Sequence, residues 1–158
     1  MKPVYSRFPR VAPKNLRDKT LAPMKTYGLP KGEFTRRLAG VGVSYRDDEA
    51  TIETALKIVE AFLGDVRRRR CANCGGRQLV EAHHVGSRGA RHVDFGNTAP
   101  ACWSCHQREH GGETLNVDMA AVARAVGVEY LAAHSVAANF IASHSMNAEV
   151  LALLPRTA

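Results

Sequence analysis

Two cysteine pairs constrain this chain more than any other feature of its sequence. Both have the spacing Cys-x-x-Cys, the first at Cys71 and Cys74 and the second at Cys102 and Cys105. Two such knuckles can place four thiolates on one tetrahedral zinc ion, and residues 75–101 then form the loop that the ion closes. Four unrelated buried cysteines would show these matching spacings only by chance. The pattern therefore predicts a structural zinc ion held by all four cysteines.

The N-terminal sequence and the hydropathy bear on the compartment. No uninterrupted apolar run approaches the ~20 residues that a membrane span needs, and Pro3, Pro9 and Pro13 interrupt any apolar core of a signal peptide. We therefore expect a protein of the cytoplasm without a membrane partner. Cysteines in that compartment stay reduced, which favours metal binding over disulfide formation.

Basic residues are concentrated at the start of the chain. Residues 1–46 contain eleven Lys or Arg and two acidic residues, a local net charge of +9 in a chain whose total is +7. The segment is rich in proline and shows no sustained periodicity, so it is predicted to be an extended arm with at most one short helix. Such a charge is typical of a protein that binds a polyanion, here DNA, because Lys and Arg release counterions from phosphates. The alternative is an arm that only improves solubility.

A helix is predicted over residues 47–70. Apolar residues recur there at helical spacing, and residues 47–49 are acidic, which suits the positive N-terminal end of the helix dipole. Residues 67–70 are four arginines at the opposite end. These arginines could form a solvated surface that complements the negative C-terminal end of the helix dipole. They could equally contact phosphates beside the first knuckle.

The segment between and after the knuckles is predicted to be a strand, a loop, a second strand and a helix. The strands are expected over residues 79–86 and near 97–101, and the helix over residues 103–110. Together these elements form a core at residues 71–112. The remaining residues, 113–158, are alanine-rich and predict a helical tail with a break at Gly127 and a last short helix over residues 147–154.

Four histidines lie within this core. His83 and His84 are neighbours on the predicted strand, so their side chains point to opposite faces and should have different roles. His106 and His110 are four residues apart on the predicted helix, which allows both to reach one ion. That spacing is common on ordinary surfaces, but the knuckle at Cys105 fixes the start of this helix and thereby where His106 points.

These residues together resemble a known family. The segments Cys71-Ala-Asn-Cys74 and Glu81-Ala-His-His84, then Asn97, and finally Cys102-Trp-Ser-Cys-His106 through His110 are similar to the HNH nucleases, whose ββα-metal site is framed in many members by two Cys-x-x-Cys knuckles. The likeness is greatest to the phage recombination-enhancement type, and the final His-x-x-x-His also resembles the colicin-type DNases. The resemblance implies an α+β fold, with a small ββα-metal core flanked by helices, in the cytoplasm of a bacterium or a phage-infected host.

The resemblance also implies a role for each residue. His83, His106 and His110 would bind one catalytic divalent cation, and His84 would be the general base that deprotonates the attacking water. Asn97 would orient His84 or hold the loop. The implied activity is metal-dependent hydrolysis of DNA phosphodiester bonds with a single metal ion and a histidine base. We expect His84 to be kept neutral by a backbone carbonyl on its other ring nitrogen and by the nearby cation.

Several positions depart from the commonest family pattern. An all-imidazole ligand set suits Zn, Ni, Co or Mn better than Mg, and the identity of the catalytic cation stays open among Mg, Mn, Ni and Zn. Thr98 stands where an apolar residue is more usual, and His92 or Asp94 could replace or support Asn97, although both could simply be solvated loop residues. Glu81 is on the same strand face as His83. It could contact His83 or the zinc knuckle, or it could be an ordinary strand residue without a role in the site.

Arginines near the proposed site are candidates for phosphate contacts. Arg88, Arg91 and Arg108 are predicted to bind DNA beside the cut, with a phage or recombination protein as a further possible partner. One alternative function is a non-catalytic zinc-ribbon module that binds DNA, which needs only the four cysteines and the basic arm. Another is an accessory protein of phage packaging or recombination, in which the helical tail docks a partner.

Overall fold

The computed structural model describes residues 27–29, 31–85 and 93–156. Within these ranges the chain forms six helices and one two-stranded sheet, and its class is α+β as predicted. Most of the basic arm lies outside the described residues. The loop residues Arg88, Arg91 and His92 also lie outside them. In chain order the elements are α1 (Lys31–Gly40), α2 (Glu49–Arg68), β1 (Val80–His84), β2 (Thr98–Cys102), α3 (Trp103–His110), α4 (Met119–Ala133), α5 (Ser135–His144) and α6 (Ala148–Leu151).

Helix α2 carries the main core and confirms the predicted amphipathic helix. It begins at the N-cap Asp48, whose carboxylate accepts a 2.8 Å hydrogen bond from the backbone N–H of Thr51. Its apolar stripe is buried as a continuous face, and Phe62 is stacked on Phe95 with ring centroids 4.3 Å apart. The buried residues of this face are Ile52, Ala55, Leu56, Ile58, Val59, Phe62, Leu63 and Val66.

The short helix that the prediction allowed in the basic segment lies at its end, over Lys31–Gly40, but its packing into the core was not predicted. Helix α1 and the turn after it are part of the core, because Phe34, Leu38 and Val41 are almost completely buried. The basic residue Arg37 is also buried there, where its guanidinium pairs at 2.6 Å with both Glu33 and Glu60. The charge density of the segment concealed a short amphipathic helix whose buried arginine is paired with two carboxylates.

The sheet and α3 form the predicted strand, strand and helix. Strands β1 and β2 are antiparallel, with Val80 opposite Cys102 and His84 opposite Thr98. Strand β2 leads directly into α3, since Cys102 is both the last residue of the strand and the N-cap of the helix. The second knuckle thus lies at the junction between strand and helix.

The predicted break at Gly127 is wrong. Helix α4 continues through Gly127 and ends at Ala133, and the chain turns at His134 into α5. Gly127 is required for close packing instead, because a Cβ atom at this position would lie 3.0 Å from the backbone nitrogen of Gly96. The glycine therefore lets α4 approach the turn that precedes β2.

Helices α4 and α5 are the most apolar elements of the tail. Within the described ranges, no single helix is both long and apolar enough to cross a membrane. The two helices reach the required length and composition only as a pair, and they are bent by 107° at the break between them. Both contribute buried residues to the core, among them Leu131 and Ile141.

Candidate metal centres and active site

The four cysteines meet in one cluster. Their sulfur atoms all lie within 4.8 Å of one another, and the thiols are free, with Sγ of Cys74 3.7 Å from Sγ of Cys102. Cys71, Cys102 and Cys105 are buried. This arrangement is positioned to hold a metal ion and is consistent with the predicted structural zinc.

The backbone around the first knuckle fixes the cluster to the sheet. The N–H of Ala72 donates to the carbonyl of Pro100 on β2 at 2.9 Å, and the N–H of Cys71 donates to the carbonyl of Gly76 at 2.8 Å. The side chain of Asn73 donates to Sγ of Cys105 at 3.3 Å. Hydrogen bonds to sulfur and from knuckle to strand orient the thiols.

The thiols of the cluster differ in acidity. Burial acts to raise the pKa of Cys71, but hydrogen bonds from backbone N–H groups around it outweigh this effect and lower the pKa to about 6. For Cys105, the hydrogen bond from Asn73 lowers the pKa, but burial and the three neighbouring thiols raise it to about 12. One thiol of the cluster therefore ionises easily and another resists ionisation. Four thiolates can coexist at this distance only around a cation.

Three histidines form a second cluster. Ring nitrogens of His83 on β1 and of His106 and His110 on α3 lie within 4.8 Å of one another, so one ion could contact all three. His83 is buried and His110 is exposed, which leaves one side of the cluster open to solvent. The predicted ligand residues are thus brought together, with Nε2 of His106 and Nε2 of His110 2.7 Å apart.

Carboxylates accompany two of these histidines. Glu81 on β1 contacts Nδ1 of His106. The partner of Glu81 is thus His106, and neither His83 nor a knuckle cysteine, which were the contacts that the sequence allowed. This contact orients the ring and directs Nε2 of His106 into the cluster, as carboxylates commonly do for metal-binding histidines. Glu109 was not predicted, and its Oε2 lies 2.5 Å from Nε2 of His83. Its position three residues after His106, on the same helix face, is the sequence signal that would have indicated it.

The protonation of His83 suits a metal ligand. Burial is the main cause that lowers its pKa, and the neighbouring rings of His106 and His110 lower it further, while Glu109 acts in the opposite direction. The net shift is downward, which favours the neutral imidazole. A neutral ring retains the lone pair with which histidine binds a metal ion.

His84 lies on the other face of β1 and has a different partner, as predicted from its position next to His83. Its Nε2 is 2.6 Å from Oδ1 of Asp94. Asp94 is fully buried, and Nε of Arg36 from α1 lies 3.4 Å from the same oxygen. The Nε2 atom of His84 thus has a carboxylate partner, and the expected backbone carbonyl on the other ring nitrogen stays a prediction. Asp94 is also not the solvated loop residue that the sequence allowed.

Asn97 and Thr98 shape the turn that holds Asp94. The N–H of Asn97 donates to the carbonyl of Asp94 at 3.3 Å, and the carbonyl of Asn97 accepts from the N–H of Val85 at 2.8 Å. The buried hydroxyl of Thr98 donates to the same Asp94 carbonyl at 2.7 Å, which explains a polar residue at this position. The main chain of Asn97 thus holds the loop, while Asp94 contacts the ring of His84.

Several of the described arginines near these sites are engaged with acidic residues. Arg108 pairs with Glu113 at 2.7 Å, and its place on α3, two residues from both His106 and His110, puts it on a different face from them. At the end of α2, Arg67 pairs with Glu60 and Arg69 with Asp65. These surface pairs leave the predicted phosphate contacts untested.

Comparisons with protein-family models, with curated proteins and with solved structures find no match to this chain.

Proposed function

We propose that this protein is a metal-dependent endonuclease of the HNH class that hydrolyses DNA phosphodiester bonds. The observation that carries the proposal is the division between two adjacent histidines. His83 joins His106 and His110 in a cluster that could hold a divalent cation, whereas His84 contacts the buried carboxylate of Asp94. A metal-binding group and an oriented base, supplied from opposite faces of one strand, are the two components that hydrolysis of a phosphodiester requires.

The cation, when bound by the three histidines, would stabilise negative charge on the scissile phosphate and on the leaving oxygen. The remaining work belongs to His84, which takes a proton from the attacking water. Asp94 holds the ring in one orientation and stabilises the imidazolium that forms. Arg36 in turn lies against Asp94, so α1 helps to hold this carboxylate in place.

The charge of the chain suits a DNA substrate. The net charge is +7, and the excess is concentrated in residues 1–46. Lys and Arg contacts to phosphates contribute affinity that falls steeply with salt and carries little sequence information. We therefore propose weak sequence preference, with any specificity coming from DNA structure or from a partner protein.

The test is cleavage of supercoiled plasmid and of circular single-stranded DNA by the purified full chain with Mg, Mn, Ni or Zn added. The wild type is compared with His84→Ala and with the control His134→Ala, whose ring is stacked on Tyr130 and lies against the carbonyl of Tyr130. We expect metal-dependent cleavage that falls by about 10²–10⁴-fold in His84→Ala and is unchanged in His134→Ala.

Two results would overturn the proposal. One is equal cleavage by wild type and His84→Ala, which would exclude His84 as the base. The other is a wild type that is inert with every metal on both DNA forms while it still binds DNA, and this would favour the zinc-ribbon binding module.

A further inference from the structure

Glu109 has an unusual environment beside the histidine cluster. Its Oε2 and Nε2 of His83 are both buried and lie 2.5 Å apart. They are nevertheless not aligned as a hydrogen-bond donor and acceptor, and neither atom has another hydrogen-bond partner within the part of the chain that the structure describes. A buried carboxylate oxygen and a buried ring nitrogen are therefore left unsatisfied at one point.

Buried polar atoms without a hydrogen-bond partner are costly, and a carboxylate costs more than a neutral group. The cost disappears if both atoms direct their lone pairs at a shared cation. Ring nitrogens of His106 and His110 lie within 4.8 Å of a ring nitrogen of His83. Glu109 follows His106 by three positions on α3, so the helix brings both side chains to the face that contacts His83.

We propose that Glu109 is the fourth protein ligand of the cation held by His83, His106 and His110. This inference rests on the metal site of the proposed function and adds an oxygen donor to it. The resulting set of three imidazoles and one carboxylate neutralises part of the ion's charge, and it accommodates Mn as well as Zn. Four protein ligands also mean that a substrate phosphate reaches the ion by a fifth coordination position or by displacing the carboxylate.

The experiment measures Co²⁺ binding to the full chain with its cysteine site already loaded with zinc. Visible absorption of bound Co²⁺ reports both affinity and ligand set. The variants are Glu109→Gln, which keeps the size and removes the charge, and Glu109→Asp, which keeps the carboxylate. Glu113→Gln is the matched control, since Glu113 is an acidic residue just beyond the same helix that pairs only with Arg108 among the described contacts.

We expect Glu109→Gln to weaken Co²⁺ binding by about 10-fold or more and to change the absorption bands, with partial recovery in Glu109→Asp and no change in Glu113→Gln. Unchanged affinity and bands in Glu109→Gln would overturn the inference. Tighter Co²⁺ binding would also overturn it, because Glu109 would then compete with the ion for His83.

This measurement is independent of nuclease activity. If Glu109→Gln loses Co²⁺ affinity while the wild type cleaves no DNA, the ligand assignment stands and the proposed function fails. If the wild type cleaves DNA and Glu109→Gln binds Co²⁺ as the wild type does, the function stands and the assignment fails.

Discussion

The cysteine cluster and the histidine cluster are attached to the same helix by adjacent residues, Cys105 and His106, yet they differ in surroundings. Three of the four cysteines are buried, and their hydrogen bonds come from the knuckles and from one another. The histidine cluster has an exposed member, His110, and carboxylates on two of its rings. Structural zinc sites are closed by four protein ligands, whereas catalytic sites keep access for substrate and use carboxylates to orient histidines.

Because of this difference, we expect the loss of each site to affect the fold differently. Cys102 and Cys105 define the start of α3, and that start determines where His106 and His110 point. Loss of the cysteine site should therefore abolish both sites, whereas loss of the histidine site should leave the fold intact. The dependence runs in one direction only.

The largest expected effect follows from removing the cysteine site. Cys71→Ser combined with Cys105→Ser should eliminate zinc binding and with it a metal-binding free energy of about 10–16 kcal/mol of the kind that structural zinc supplies. We expect the sheet and α3 to lose their ordered structure, measured by circular dichroism and zinc content. The comparison is His83→Ala with His106→Ala, which should keep the zinc and the melting transition. A double cysteine variant that folds and cleaves as the wild type does would refute the dependence.

A smaller effect is expected at the contact between His84 and Asp94. Asp94→Asn keeps the shape but removes the charge that stabilises the protonated ring, so kcat should fall by about 10- to 100-fold with little change in KM. Asn97→Ala should have the weaker effect on kcat, because the main chain of Asn97 makes the hydrogen bonds that hold the loop. The measurement is the pH profile of plasmid nicking for both variants. A larger loss of kcat in Asn97→Ala than in Asp94→Asn would show that Asn97, and not Asp94, orients the ring of His84.

The smallest effect concerns the packing that supports the Asp94 turn. Gly127→Ala would place a Cβ 3.0 Å from the backbone nitrogen of Gly96 and 3.2 Å from Cδ1 of Leu153. We expect overpacking of about 1–3 kcal/mol to exceed the gain of about 1 kcal/mol in helix propensity. Thermal melting should show a lower Tm with zinc content unchanged.

Gly32→Ala is the matched control for this substitution. It lies in α1, where an added Cβ has nothing within 4 Å, so the change should be neutral or stabilising. A stabilised Gly127→Ala would show that α4 does not constrain the turn.

The sequence predicted the elements whose signals are local. The apolar stripe and acidic start of α2, the spacing of the knuckles and the bounds of α3 all depend on residues close in the chain. The opposite directions of His83 and His84 followed from the alternation of a strand. The meeting of His83 with the two histidines of α3 was implied by the family resemblance.

What the sequence did not predict depends on long-range contacts. Arg36 and Glu109 gain their positions beside Asp94 and His83 only when α1, β1 and α3 pack together. A glycine within a helical pattern predicts a break at Gly127. Its packing role depends on Gly96, which lies against it only in the folded chain. The core role of α1 was masked by arginine, since a buried arginine requires carboxylates that the sequence alone does not locate.

The most direct test of the two-site account is the metal content of the full chain, measured by mass spectrometry under native conditions and by elemental analysis. The account predicts two divalent ions per chain when the metal is in excess, of which mild chelation removes one. His83→Ala with His106→Ala should hold one ion and keep the fold. A wild type that binds only one ion, with the same content in the histidine variant, would contradict the account.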